Sequence, residues 1–382
     1  MDIKYVSSLL LALCLGVAEG FACTTAIVSA EASSTGRPLI WKQRDADNIH
    51  NCLAFRKGPV YDFTAVVPVG AENRKVAYGG INTAGFAIAN NLSYNFEEDD
   101  PDESPRNGLF MFLALGQCGS LSDFERFLDN RPDSVKVSAN FAVIDALGGA
   151  AYFEAGDKGW TRYDVPRGGT LYRTNFSLSG KKDEGGGYAR WEAIKQIMSR
   201  KAPRGGYDAG YFMGISRLFY DGINGKDALK HSGGYLLDRN YIPRTASASA
   251  LVIEGVTAGD RPDGGMLWFA AGYPPCCYAV AAWVAAGTEL PACISGTAPA
   301  NALAVELMNR VHPFPWEGGD DYLDVKALRQ ILPKVQKAER AELKAAGALA
   351  ESFRLKGMDP DALRRYNAEA DDRFNTFKAL FE

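Results

Sequence analysis

Short apolar runs broken by Gly, Pro, Asn and Asp fill the chain from Cys23 to about Val305, the pattern of strands joined by turns. It predicts a hairpin of strands at 24–30 and 38–42 around Ser33-Ser34-Thr35-Gly36. Further strands are predicted at 64–69, 85–90, 141–145, 150–154, 248–254, 266–271 and 278–283. Apolar residues recur at helical spacing in 109–116, 121–129, 188–199 and 209–220. Strands in runs with interspersed helices predict an α+β layered domain over a strictly alternating βαβ order.

The pattern changes near both ends. From 324 to 382 Ala, Leu, Lys, Glu and Arg take over with a helical period, broken at Pro333 and again at 357–360. This predicts a helical C-terminal extension packed on the main domain, with its charges on a solvated face. At the other end, Lys4, the apolar run from Val6 to Val17, and small Gly20 and Ala22 before Cys23 form the three parts of a secretory signal. The expected division is a signal peptide at 1–22, a main domain at 23–323 and the extension at 324–382. Two acidic or glycine-rich stretches, 97–105 and 180–187, read as exposed loops where substrate choice would reside.

The apolar run of the signal is shorter than the roughly 20 residues that span a bilayer, and no membrane span is expected elsewhere. A net charge of −4 over 382 residues gives no pull toward nucleic acid, so the expected partner is a small molecule, with homo-oligomer formation left open. Export, to the periplasm or the medium, permits disulfides. Of the seven cysteines Cys14 leaves with the signal, and Cys52, Cys118, Cys276, Cys277 and Cys293 can pair once, twice or not at all.

Cleavage between Ala22 and Cys23 would put a thiol and a free α-amine on one residue. Such an amine, with a pKa of roughly 7.7–8.0, can serve as base for a thiol of about 8.5 without a histidine. Only three histidines are present, His50, His231 and His312, none in a recognisable catalytic setting. A plain core cysteine and a lipid-modified cysteine are the competing readings. The second is weakened by Gly20-Phe21-Ala22, which lacks the leucine expected three residues before a lipidated cysteine.

Cys23-Thr24-Thr25-Ala26-Ile27-Val28, followed by Gly36-Arg37-Pro38-Leu39-Ile40-Trp41-Lys42-Gln43-Arg44-Asp45-Ala46-Asp47, resembles the opening of the N-terminal-nucleophile (Ntn) cysteine hydrolases. The relevant superfamily is that of choloylglycine (bile salt) hydrolase, penicillin V acylase and the isopenicillin acyltransferase that acts on 6-aminopenicillanic acid. Its Arg-x-x-Asp is matched by Arg44 and Asp47. The resemblance implies that the carboxylate orients the α-ammonium while the guanidinium favours the thiolate. Gly80-Ile81-Asn82-Thr83-Ala84-Gly85-Phe86, leading to Asn90 and Asn91, is similar to the family's next motif, and Leu171-Tyr172-Arg173-Thr174-Asn175-Phe176 to the one after. Asn90, with Asn91 as the alternative, and Asn175 are the implied donors to the oxyanion. Arg190 in Tyr188-Ala189-Arg190-Trp191 and Arg244 in Arg244-Thr245-Ala246-Ser247 are weaker matches, each a candidate for lining the site or for a simple ion pair.

What the resemblance implies is a four-layer αββα sandwich, the Ntn-hydrolase fold, that hydrolyses linear amide bonds of an N-acyl small molecule through a thioester, with no cofactor and no metal. An acyltransferase, a secreted cysteine dipeptidase and a non-enzymatic surface protein lipid-anchored through Cys23 are the alternatives. Phe96, Phe110 and Phe176 are candidates for an acyl pocket, with core packing the competing fate of each.

Overall fold

The computed structural model describes residues 22–71, 74–97, 105–314 and 322–382. The expected signal before Ala22, and most of the acidic loop at 97–105, lie outside the described residues. The chain opens with the predicted hairpin, β1 (Cys23–Val28) and β2 (Leu39–Asp45), turning through Gly36 at a φ of 68° that favours glycine. It then builds a second sheet from β3 (Asn51–Arg56), β4 (Phe63–Pro68), β5 (Gly79–Asn82) and β6 (Ala87–Leu92). Two helices follow, α1 (Asn107–Gln117) and α2 (Leu121–Asp129), and the sheet is completed by β7 (Ala139–Ile144), β8 (Ala150–Gly156) and β9 (Gly159–Asp164). These seven strands are neighbours in sequence order.

The chain returns to the first sheet with β10 (Thr170–Arg173), which pairs with β1. After α3 (Tyr188–Met198), α4 (Ala209–Ile215), a ladder of β11 (Tyr220–Asp221) with β12 (Lys226–Asp227), α5 (Ala228–His231) and β13 (Tyr235–Leu237), that sheet gains β14 (Ser247–Glu254), β15 (Met266–Ala271) and β16 (Val280–Trp283). Its order is β10-β1-β2-β14-β15-β16, which places β1 and β2 in the interior. The chain ends with α6 (Pro299–Val311), β17 (Tyr322–Asp324) against β13, α7 (Val325–Lys356) and α8 (Pro360–Lys378).

Side-chain alternation along β1 fixes the layers. Directly opposed residues of an antiparallel pair share a face, and Cys23 stands opposite Arg44, Thr25 opposite Lys42. Thr25 donates its hydroxyl hydrogen to Asn91 Oδ1 of β6 and lies 2.7 Å from the Tyr152 hydroxyl of β8, so this face looks at the second sheet. The other face meets helices: Thr24 contacts Arg190 of α3, and Trp41 stacks on Phe212 of α4. The far side of the second sheet is covered by α1 and α2 through an aromatic cluster of Phe110, Phe124, Phe141 and Phe153. The layer order is therefore helix, sheet, sheet, helix, the αββα sandwich expected, and it buries all of β1.

Four main strands escaped the apolar pattern. Gly79-Gly80 in β5 reads as a turn, yet a Cβ on Gly80 would lie 2.6 Å from the Thr64 carbonyl oxygen, so glycine there permits a close strand. β9 is an edge strand with a largely exposed surface, and β3 and β10 carry short mixed runs. Helix α4 stops at Ile215 instead of reaching 220, because Tyr220 pairs with Asp227. Pro333 does not break α7: buried Ile331 and Val335 on either side hold the helix through the missing N–H. The interruption at 357–360 is real, with Gly357 at a φ of 84° and Asp359 accepting from the N–H groups of Asp361 and Ala362.

The terminal helices are part of a sandwich layer. Arg217, beyond α4, donates to Glu339 of α7 through two contacts of 2.6 Å, with side chains 2% and 8% exposed. Arg354 of α7 donates to Glu254 of β14, and the Ala281 N–H of β16 donates to the Tyr366 hydroxyl of α8 at 3.1 Å. Among the described residues no helix is long and apolar enough to cross a membrane. All six described cysteines are buried free thiols.

Glu339→Ala leaves Arg217 buried without its carboxylate, a change that costs about 3–5 kcal/mol. Urea unfolding followed by tryptophan fluorescence is expected to show the midpoint falling accordingly, with the denaturant slope unchanged.

Candidate active site

Cys23 is the first residue of β1 and is 6% exposed. Its backbone N–H donates to Asn175 Oδ1 at 3.0 Å, and its carbonyl accepts from Arg190 Nη1 at 2.7 Å. Arg190 also donates to the Thr24 hydroxyl at 3.0 Å and, through Nη2, to Asn175 Oδ1 at 2.8 Å. One guanidinium thus clamps both the backbone of the nucleophile candidate and the asparagine that holds its nitrogen. Burial, with Arg244 adding to it, lowers the Arg190 pKa to about 10, still far above neutrality.

The strand opposite supplies charge. Arg44, across the ladder from Cys23, stacks its guanidinium 3.7 Å from the Tyr78 ring centroid and donates to the Asn48 carbonyl at 3.0 Å. Burial pulls its pKa down, opposed by Tyr78 and Cys23. Lys42, two residues earlier on the same face, is 3% exposed and donates from Nζ to the Tyr78 carbonyl and to Asn90 Oδ1, both at 2.8 Å. Burial lowers its pKa to about 8, against an attraction from Cys23.

Asp45 lies on the other face of β2. It accepts from Arg244 Nε at 2.9 Å and from the Ser247 hydroxyl at 2.7 Å, and its own N–H donates to the Ala22 carbonyl at 2.9 Å. Burial raises its pKa despite the pull of Arg244 and Arg190. Tyr94, half-buried after β6, feels Cys23, Arg190, Arg244 and Asp45, and its phenol is pushed up mainly by burial.

The sequence-derived candidates thus divide. Cys23, Arg44, Asn175, Arg190 and Arg244 converge on the start of β1 and the end of β2. Asp47 does not join them: the chain leaves β2 at Asp45 and turns at Ala46, whose N–H donates to the Ala246 carbonyl, so Asp47 is exposed. The buried carboxylate at this place is Asp45. Asn91 is saturated in the core, donating to the Arg173 carbonyl at 3.3 Å and accepting from Thr25, whereas Asn90 faces Lys42. Asn175 presents its oxygen to Cys23 and sends Nδ2 to the Leu92 carbonyl at 2.8 Å, which differs from the oxyanion-donor role expected of it.

Lys42, Asp45, Tyr78 and Tyr94 were not anticipated. Lys42, Arg44 and Asp45 within one strand were the available signal, since a central strand buried on both faces rarely carries charges without a task. Phe110 belongs to the core, 1% exposed, and Phe176 stacks on Tyr188 with ring centroids 4.6 Å apart. Phe96 borders a cleft of ≈ 410 Å³ together with Trp160 and Gly180 of the glycine-rich loop. The same loop returns to the site where Gly186 bridges to Asn175. Among the described residues no cluster of His, Cys, Asp and Glu is arranged to hold a metal ion.

No family model and no curated protein sequence matches the chain. Solved structures do match. A mutant of conjugated bile acid hydrolase from Clostridium perfringens is 13% identical with a TM-score of 0.32, over 47% of this chain and 58% of that one. The Caenorhabditis elegans ortholog of N-acylethanolamine-hydrolyzing acid amidase is 11% identical with a TM-score of 0.38, over 60% and 92%. Penicillin V acylase from Agrobacterium tumefaciens is 13% identical with a TM-score of 0.37, over 68% and 85%.

The two aspartates are separable by stability. Asp45→Ala removes the buried carboxylate that pairs with Arg244 and accepts from Ser247, and is expected to cost about 3–5 kcal/mol. Asp47→Ala removes an exposed side chain and is expected to stay within about 0.5 kcal/mol of the parent in the same denaturant titration.

Proposed function

We propose that the chain hydrolyses linear, non-peptide amide bonds of an N-acyl small molecule, with Cys23 as nucleophile once the residues before it are removed. The observation that carries this reading is the setting of Cys23. It begins a central, fully buried strand, and its nitrogen lies 3.0 Å from an asparagine oxygen that a buried arginine fixes in place. Freed of Ala22, that nitrogen becomes an α-amine, and Asn175 Oδ1 is placed to accept a hydrogen from it and hold its orientation.

The reaction then follows from the atoms present. The α-amine takes the thiol proton as sulfur attacks the amide carbonyl carbon, and the carbonyl π pair moves to oxygen. The sequence motif makes Asn90 the proposed donor to that oxyanion. Collapse expels the amine, which leaves with the proton from the α-ammonium, and a thioester remains on Cys23. Water attacks the thioester with the α-amine again as base, releasing the acid. Asp45 is the buried carboxylate beyond the end of this ladder; its own N–H donates to the Ala22 carbonyl, a bond that is lost when the residues before Cys23 are removed.

The same reading makes the protein exported, since a free Cys23 is what removal of the signal at 1–22 would produce. A lipid anchor fits poorly, because a diacylglycerol on a sulfur facing the second sheet would have to thread between the two sheets.

The decisive experiment determines the mature N-terminus by intact mass and compares the parent with Cys23→Ala on phenoxyacetyl, fatty-acyl and bile-acid amides. Expected is a chain beginning at Cys23, hydrolysis of at least one acyl class, and a loss of at least about a thousand-fold in kcat/KM for the variant. A lipidated cysteine, or turnover indifferent to Cys23→Ala, would remove the proposal.

A further inference from the structure

Removal of the residues before Cys23 frees one buried donor. While Ala22 is present, the Asp45 backbone N–H donates to the Ala22 carbonyl oxygen at 2.9 Å, and both residues are buried. In a chain that begins at Cys23 this acceptor is gone, and Cys23, opposite Arg44, becomes the end of the ladder. A backbone N–H buried away from water is rarely left without a partner. Covalent geometry also fixes where the lost carbonyl stood relative to the nucleophile. Its carbon is bonded to the Cys23 nitrogen, so four bonds separate it from Sγ, and the two atoms are within about 5 Å in any rotamer.

We infer that the Asp45 backbone N–H is an oxyanion donor: once the chain begins at Cys23, it takes the carbonyl oxygen of the substrate in place of that of Ala22. The inference rests on the reading of Cys23 as a nucleophile freed by removal of the residues before it. As sulfur bonds to the amide carbon and the π pair moves to oxygen, this contact turns from a neutral into a charge-assisted hydrogen bond. It therefore strengthens on the way to the transition state, the condition for accelerating the step.

The donor is held in place from the side away from β1. The Asp45 carboxylate accepts from Arg244 Nε at 2.9 Å and from the Ser247 hydroxyl at 2.7 Å, and the next N–H, that of Ala46, donates to the Ala246 carbonyl at 2.9 Å. A donor fixed before the reaction costs no reorganisation during it. Basic groups favour negative charge here: Arg44 lies across the ladder from Cys23, and Arg190 Nη1 reaches the Cys23 carbonyl. Asp45 thus has two tasks on different atoms, its side chain anchoring the strand end and its backbone nitrogen meeting the substrate. A side-chain substitution removes only the anchor.

The test reads the N–H itself. Arg44-Asp45 is the only Arg-Asp pair in the sequence, so isotopic labelling of arginine carbonyls and aspartate nitrogens isolates the Asp45 amide as a single NMR correlation. Its hydrogen exchange is expected to be slow in a chain that keeps Ala22 and at least about tenfold faster in the mature chain. Trifluoroacetone then captures Cys23 as a thiohemiketal: sulfur bonds to the carbonyl carbon, the thiol proton leaves to solvent, and the π pair stays on oxygen as the oxyanion. Exchange is expected to slow again by at least about tenfold, and to be unaffected by the ketone in Cys23→Ala.

Kinetics give the second readout. Joining a synthetic segment 23–51 to 52–382 at Cys52 allows the Asp45 N–H to be replaced by an ester oxygen with the side chain unchanged. 4-Nitrophenyl acetate acylates the thiol through an oxyanion and expels 4-nitrophenolate, whereas iodoacetamide alkylates it by losing iodide without one. Against the same protein assembled with the amide, acylation is expected to fall about a hundred-fold, the effect of losing one oxyanion donor, and alkylation to stay within about threefold. Thermal unfolding checks that the ester chain folds; if it does not, the exchange measurement decides. An Asp45 amide indifferent to the thiohemiketal, or equal slowing of acylation and alkylation, would overturn the role. A mature chain whose Cys23 reacts with neither trifluoroacetone nor 4-nitrophenyl acetate would instead overturn the reading of Cys23.

Discussion

The start of β1 is polar and has no water to turn to. Cys23, Thr24 and Thr25 sit in a strand buried on both faces, and a buried polar group without a partner costs on the order of 1–3 kcal/mol. The Arg190 guanidinium answers most of this demand alone, through the Cys23 carbonyl, the Thr24 hydroxyl and Asn175 Oδ1. Asn175 then closes the circle at the Cys23 nitrogen. Much around them can be understood as support for that one junction: β10 delivers Asn175, the glycine loop delivers the head of α3, and α3 delivers Arg190.

A second consequence concerns charge. Four basic side chains, Lys42, Arg44, Arg190 and Arg244, gather about the end of the β1–β2 ladder with Asp45 as the buried carboxylate among them. Burial opposes ionisation of four of these five groups: it lowers Lys42, Arg44 and Arg190 and raises Asp45. Such a cluster is costly as a scaffold, because apolar residues of similar volume would pack there without desolvation penalty. Its persistence in the middle of a sandwich is a reason to read it as working chemistry.

Sequence alone displayed the parts of this arrangement that depend on local pattern. The opening hairpin, the helix at 121–129 and most core strands follow from apolar spacing and turn residues, and Cys23, Arg44 and Asn175 stood out in motifs of recognisable order. Pairings across the fold were not legible. Nothing in Arg44-Asp45-Ala46-Asp47 says where β2 ends, and a difference of two residues moves a carboxylate from the core to the solvent. Nothing in Asn90-Asn91 says which of two neighbours on opposite faces is tied to Thr25 and which to Lys42. β5 was hidden because its glycines serve close approach between strands, a need that exists only once β4 and β6 are in place.

The helices after residue 324 show the same limit from the other direction. Their composition reads as a helical extension packed on the main domain, with its charges on a solvated face. Yet the residues that matter are the few on the inner stripe: Glu339 neutralises Arg217, Arg354 meets Glu254 at the end of β14, and Tyr366 reaches the β16 backbone. β14 is the strand that hydrogen-bonds β2 on the side away from β1 and presents Ser247 to Asp45. The register that places Arg44 opposite Cys23 is thus braced from behind by a segment with no counterpart in the motifs of the opening strands. A change in α7 can therefore reach the site through β14 without touching any residue in it.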